Sequence, residues 1–194
     1  FASEVIDVAE LVDTDTPGVI VEVSSGTVLA EQTLQGAVDA AWSLCATRPS
    51  ANWYLPGGTA TIGTTSRLAL FNPFGDAAIV RVQFQTDVGL RNPSDLGALV
   101  VPAKARVDVN VDEVLGKPSI TGAIVEAKTG RVIAQRFEVL EATELGAGLT
   151  LSNGIPSLET ELSAALPSRL DTESMNLSLS NPTDRIANVT LNIT

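Results

Sequence analysis

Three aromatic side chains, Trp42, Trp53 and Tyr54, carry the clearest binding chemistry in this sequence. Flat apolar faces suit pyranose rings, so the three could form a ligand-stacking platform for a polysaccharide. Tryptophans at such irregular spacing also serve as core residues or interdomain plugs, with the indole N–H finding an acceptor inside. Asp13-Thr-Asp15-Thr-Pro17-Gly18 opens like a calcium loop. Pro17 takes the place of a third oxygen ligand, and Ser24 stands where a bidentate glutamate belongs. That segment reads as an acidic turn, with a weak divalent-ion site as the alternative. Gly58-Thr-Ala-Thr-Ile-Gly63-Thr-Thr65 has the glycine spacing of a phosphate loop. Thr64 replaces the lysine that would balance phosphate charge, so a flexible turn before a strand is expected.

Catalytic groupings are missing. Histidine is absent, which removes His-based triads, His metal ligands and His general bases. Asp108, Asp112 and Glu113 belong to one strand and its exit and offer no opposed carboxylate pair for glycoside hydrolysis. Lys104, Lys117 and Lys128 lie in no Ser–Lys motif. The reading is therefore a non-enzyme with no catalytic residues, no cofactor and no metal. Cys45 is the single cysteine and cannot form an intrachain disulfide. Its neighbours Leu44 and Ala46 favour a buried, inert thiol, and pairing with another chain is the alternative.

Composition bounds the partners. The 194 residues are 44% hydrophobic and only 4% aromatic, so small aliphatic side chains must fill any core. A formal charge of −11 argues against nucleic acid, whose binding depends on Lys and Arg. It argues equally against adsorption to anionic lipid. No apolar run reaches the ~18 residues of a transmembrane helix. Phe1 opens neither with an initiator Met nor with a signal-peptide pattern, so the chain reads as a mature or trimmed product.

Period-two alternation predicts strands at Val5–Val8, Val19–Val23, Val28–Glu31, Arg67–Phe71, Ala78–Phe84, Leu99–Val101, Arg106–Val111, Ala123–Ala127, Val132–Val139, Leu177–Leu179 and Asn188–Ile193. Helical spacing is weak over Thr33–Cys45, where Gly36 interrupts it, and better over Ser157–Leu166, which Pro167 would stop. Asn72-Pro73 and Asn181-Pro182 are structural turns: Asn bonds the backbone beyond it, and proline holds the Asn extended. A four- to five-residue hairpin is expected at Asn72-Pro73, joining the Leu68-x-Leu70 strand to Ala78-x-Val80-x-Val82.

The sequence also repeats itself. Leu68-x-Leu70-x-Asn72-Pro73, Ala78-x-Val80-x-Val82-x-Phe84 recurs as Leu177-x-Leu179-x-Asn181-Pro182, Ala187-x-Val189-x-Leu191-x-Ile193, a shift of 109. Gly18-x-Ile20-Val21-Glu22, Gly26-x-Val28-x-Ala30 recurs as Gly122-x-Ile124-Val125-Glu126, Gly130-x-Val132-x-Ala134, a shift of 104. Fixed-period similarity means that the fold is built from copies of one unit.

The order Cys45, Trp53-Tyr54-Leu55-Pro56-Gly57-Gly58, Leu68-x-Leu70-x-Asn72-Pro73, Ala78-x-Val80-x-Val82 resembles an uncharacterised family of actinobacterial exported proteins. Gly89, Val101-Pro102, Val107-Asp-Val109 and Gly130-Arg-Val132-Ile-Ala134-Gln135 continue the likeness. The resemblance implies repeated β-sandwich modules of unknown function, secreted or held in the cell envelope, with no known catalytic residues.

An all-β fold of two Ig-like or fibronectin-like antiparallel sandwich modules is therefore expected. A central sandwich would span 53–139, and a linker with a short helix would span 140–170. Residues 1–45 and 171–194 each supply only half a unit, and half a sandwich cannot bury its apolar face. The two are expected to combine into one composite sandwich around the central copy. The expected function is a non-catalytic structural or protein-interaction module of the cell envelope, with a carbohydrate-binding module as the alternative. Contacts should run through a strand edge or the Asn-Pro turns, with Glu4, Asp7, Asp108 and Asp112 guarding strand ends.

Overall fold

A computed structural model describes residues 3–37, 39–116, 121–143, 146–164 and 176–193. The strands are β1 (Glu31–Gln35), β2 (Ala40–Leu44), β3 (Asn52–Leu55), β4 (Thr64–Asn72), β5 (Ala78–Thr86), β6 (Gly89–Arg91), β7 (Leu99–Val101), β8 (Ala105–Asn110), β9 (Thr121–Thr129), β10 (Ile133–Thr143) and β11 (Gly146–Asn153). A single turn of helix, α1 (Val111–Leu115), follows β8. The fold is all-β, and every strand pairing is antiparallel.

Two sheets enclose the core. One has the order β11-β10-β4-β8; the other has the order β3-β9-β5-β6, with β7 also paired to β5. Alternation along β4 turns Leu68 and Leu70 inward, and alternation along β5 turns Val80, Val82 and Phe84 to meet them. Val125 of β9, Val109 of β8 and Ala134 of β10 complete the contact. These side chains are almost wholly removed from water. Burial of each large aliphatic or aromatic one contributes about 1.5–3 kcal/mol.

The connection at Asn72-Pro73 corrects the expected hairpin. β4 pairs with β8 and β10, whereas β5 pairs with β6, β7 and β9, so the two strands lie in different sheets. The turn is an arch across the core, and Leu-x-Leu faces Val-x-Val rather than lying beside it. Asn72 fixes the arch. Its Nδ2 donates to the Asp76 carbonyl at 2.8 Å and to the Val101 carbonyl at 3.1 Å, while Oδ1 accepts from the Phe74 N–H at 3.1 Å.

Other boundaries also move. Thr33–Cys45, weakly helical by spacing, holds the β1–β2 hairpin. Gly36 breaks helical propagation, and Ala40–Leu44 finds cross-strand partners instead. The region read as a linker contains the end of β10 and all of β11, which pair with each other. No helix forms over 157–164; the end of the expected helix, 165–166, and Pro167 lie outside the described residues. The predicted strands between Arg67 and Val139 are all present. Among the described residues, those before Glu31 and those after 176 form none.

Candidate functional site

The Trp53-Tyr54-Leu55-Pro56-Gly57-Gly58 motif builds an interior polar site. Trp53 and Leu55 point into the core from β3, and Trp53 Nε1 donates to the Val132 carbonyl at 2.7 Å. The chain then curls through Gly57 and Gly58, both at positive φ (70° and 95°), which glycine adopts without strain. This curl aims the carbonyls of Leu55 (3.0 Å), Pro56 (3.5 Å) and Gly57 (2.5 Å) at the buried Arg136 guanidinium. Thr121 adds a fourth carbonyl at 2.8 Å. Burial holds the Arg136 pKa below the ordinary guanidinium value, and the charge of Glu138 offsets only part of that shift. Glu138 in turn accepts from the Thr59 N–H at 2.8 Å, Ser66 Oγ at 3.2 Å and Thr150 Oγ1 at 3.3 Å. The phosphate-loop lookalike at Gly58 is thus part of a structural cradle.

The aromatic trio is not brought together. Adjacent residues on a strand face opposite ways, so Trp53 is in the core (3% exposed) while Tyr54 is on the outer surface of β3. Tyr54 lines a shallow cleft of roughly 180 Å³ with Arg81, Gln83, Glu126, Pro182 and Thr183. Trp42 lies on β2 and is 65% exposed. Cys45 is half-buried, and burial followed by the charge of Glu31 pushes its thiol pKa up. Asp13 and Asp15 lie on an exposed stretch, and among the described residues no three potential ligand side chains converge as a metal site would need.

The guarding acids have specific local roles. Asp108 on edge strand β8 chelates Arg106, with Nε to Oδ1 at 2.6 Å and Nη2 to Oδ2 at 2.8 Å. Arg106 and Arg67 both lie over the Phe137 ring, at 5.7 and 5.8 Å from its centroid. Asp7 caps a 3₁₀ turn at Val8–Glu10 by accepting from the Ala9 N–H at 3.0 Å. Asp112 Oδ1 is buried without a hydrogen-bond partner, and Glu4 is exposed.

The terminal segments are the candidate interaction surface, because they copy the central sandwich in local geometry but not in burial. Asn181 repeats the Asn72 turn: Nδ2 donates to the Arg185 carbonyl at 2.6 Å, and Oδ1 accepts from the Thr183 N–H at 3.1 Å. Pro182 follows it as Pro73 follows Asn72. Gly26 has φ 78° where Gly130 has 77°. Asp7 (φ −80°, ψ 105°) precedes its turn with the same backbone angles as Asn110 (φ −77°, ψ 106°) before α1, although only Asp7 adds a side-chain cap. The β1–β2 register also matches: Gln32 faces Ser43 as Arg136 faces Ser152, and Thr33 faces Trp42 as Phe137 faces Leu151.

Burial tells the opposite story. Leu68, Leu70, Val80, Val82 and Phe84 are at most 1% exposed, while Leu177, Leu179, Val189, Leu191 and Ile193 are 51–80% exposed. Val19, Val21 and Val28, the counterparts of buried Ala123, Val125 and Val132, are 56–58% exposed. The accessible surface is 13730 Å², whereas a compact chain of 20.2 kDa exposes about 8,800 Å². Sequence reasoning found the repeat but missed Arg136, whose inward position follows from its phase with Val132 and Ala134.

No curated protein matches this chain. Among solved structures, it is similar to the crystal structure of Thermotoga maritima 1070, at 14% identity and a TM-score of 0.49, over 57% of this chain and 97% of that one. It is also similar to the Anabaena sensory rhodopsin transducer, at 13% identity and a TM-score of 0.39, over 47% of this chain and 99% of that one. The model of DUF5719, a family of unknown function, matches residues 8–194, and the chain belongs to that family.

Proposed function

We propose that this protein is a non-catalytic structural or protein-interaction module of the bacterial cell envelope, acting by strand pairing through its terminal segments. One observation carries the reading: both segments hold counterparts of the core side chains of β4, β5 and β9 in the right turns and order, yet leave them in water. Exposed apolar strands of this kind are completed by another strand. The amino-terminal segment offers the counterparts of β8, β9, β10 and β11; the carboxyl-terminal segment offers those of β4 and β5. Together they make one Ig-like composite sandwich, 1–45 with 171–194, of which residues 1–2, 38, 171–175 and 194 lie outside the described residues. Export and an actinobacterial source come from the family resemblance. No described helix is long and apolar enough to cross a membrane.

A labelled peptide spanning Asn176–Thr194, titrated against the whole protein, tests this reading by fluorescence anisotropy. The expected result is saturable binding that Thr190→Pro in the peptide weakens at least about tenfold, because proline removes a ladder donor. Equal binding of both peptides contradicts strand pairing. A carbohydrate-binding module is the second reading, favoured by the exposed Trp42 alone. Oligosaccharide quenching of the fluorescence of the whole protein, lost in Trp42→Ala, supports it.

A further inference from the structure

The two terminal halves lie on opposite outer faces of the central sandwich. Gly18 packs on the Phe71 ring at the four-stranded sheet, where Arg106 Nη1 donates to the Pro17 carbonyl at 3.4 Å. The same layer continues into the β1–β2 hairpin, where Asp39 Oδ2 accepts from the Leu149 N–H of β11 at 2.9 Å. Across the molecule, Gln85 on the outer face of the five-stranded sheet donates to the Asn181 carbonyl at 2.8 Å and bonds the Ser180 hydroxyl. Both sheets, about 10 Å apart, stand between the complementary halves.

Resting on the composite-sandwich reading, we propose that the missing partner is a second copy of this chain. The carboxyl-terminal half of one copy closes on the amino-terminal half of the next, giving a head-to-tail series. Stacking copies along the normal to the sheets brings these halves together with both anchors kept, whereas closure within one copy requires one half to leave its anchor and pass around the sandwich.

Charge selects the same pairing. Residues 1–45 hold eight acidic side chains (Glu4, Asp7, Glu10, Asp13, Asp15, Glu22, Glu31, Asp39) and no Lys or Arg, a net −8. Residues 171–194 hold Asp171, Glu173, Asp184 and Arg185, a net −2. Two amino-terminal halves, at −8 each, therefore repel each other far more than an amino-terminal and a carboxyl-terminal half do. The contact is heterologous and repeats, unlike a two-fold dimer.

The register supplies the test. Arg81 faces Glu126 across β5 and β9, and their counterparts are Thr190 and Glu22, both exposed here. Facing residues on antiparallel strands lie within disulfide reach. One chain carries Cys45→Ser and Glu22→Cys, a second carries Cys45→Ser and Thr190→Cys, and the two are mixed under mild oxidation. The expected product is a disulfide-linked dimer of the two, with Thr183→Cys in place of Thr190→Cys linking at least about fivefold less. A chain carrying both cysteines should give a ladder of oligomers. If that chain instead closes on itself as a monomer, the second-copy proposal falls and the composite sandwich stands. If no disulfide forms in either experiment, both fall. Sedimentation of the unsubstituted protein should show a mass that rises with concentration; a constant monomer mass overturns the proposal.

Discussion

At the scale of single residues, one asparagine turn occurs in two surroundings. Asn72 is fully buried and makes three hydrogen bonds. Asn72→Ala should cost about 2–4 kcal/mol in chemical denaturation, because the carbonyls of Asp76 and Val101 lose their donor. Asn181→Ala, in water, should stay within about 0.5 kcal/mol for the isolated copy and weaken only the concentration-dependent mass. Gly58→Ala should destabilise by about 2–4 kcal/mol. A Cβ there would lie 2.2 Å from Arg136 Nη1, on a backbone that L side chains rarely adopt. Asp39 gives a pH signature. Bonds from the Leu149 and Ala40 N–H groups hold its carboxyl below the ordinary 3.8. A depressed carboxyl stabilises above its unfolded value and loses that contribution as pH falls through the folded one. The Leu149 amide resonance should therefore titrate with a midpoint below about 3.8, and Asp39→Asn should abolish that titration. The turn role of Asn72 was legible from its pairing with Pro73. The Arg136 cradle was not, because its acceptors are backbone carbonyls of a segment 80 residues away.

At the scale of elements, alternation located every predicted strand between Arg67 and Val139, because buried strands there show two clean faces. It missed β1, of which only Glu31 fell in an expected strand, and β2, β3, β6 and β11, which are short, or in β11 begin Gly-Ala-Gly, and owe their form to a neighbour. It also could not separate an arch from a hairpin, since both leave the same local pattern and only the sheet partner differs. The terminal segments show the converse: Val19–Val23 and Asn188–Ile193 alternate as well as β9 and β5 do, yet form no strand without a partner. Thr190→Pro in the whole protein should leave the melting of the central sandwich within about 1 °C and remove the rise of mass with concentration. Loss of the sandwich itself would place Thr190 in its core.

At the scale of the whole molecule, the central sandwich carries a terminal segment on each outer face, and the proposed assembly joins the two. The repeat was legible in the sequence, while the faces on which the terminal segments lie appeared only in three dimensions. In that proposed assembly the strongly acidic amino-terminal segment (−8) disfavours its own kind over the carboxyl-terminal segment (−2). Amide hydrogen exchange at low and high protein concentration measures the central claim most directly. At high concentration, Val19–Val23 and Asn188–Ile193 should gain protection approaching that of β9 and β5, and lose it on dilution. Free exchange of both segments at every concentration, with β5 and β9 protected throughout, would contradict it.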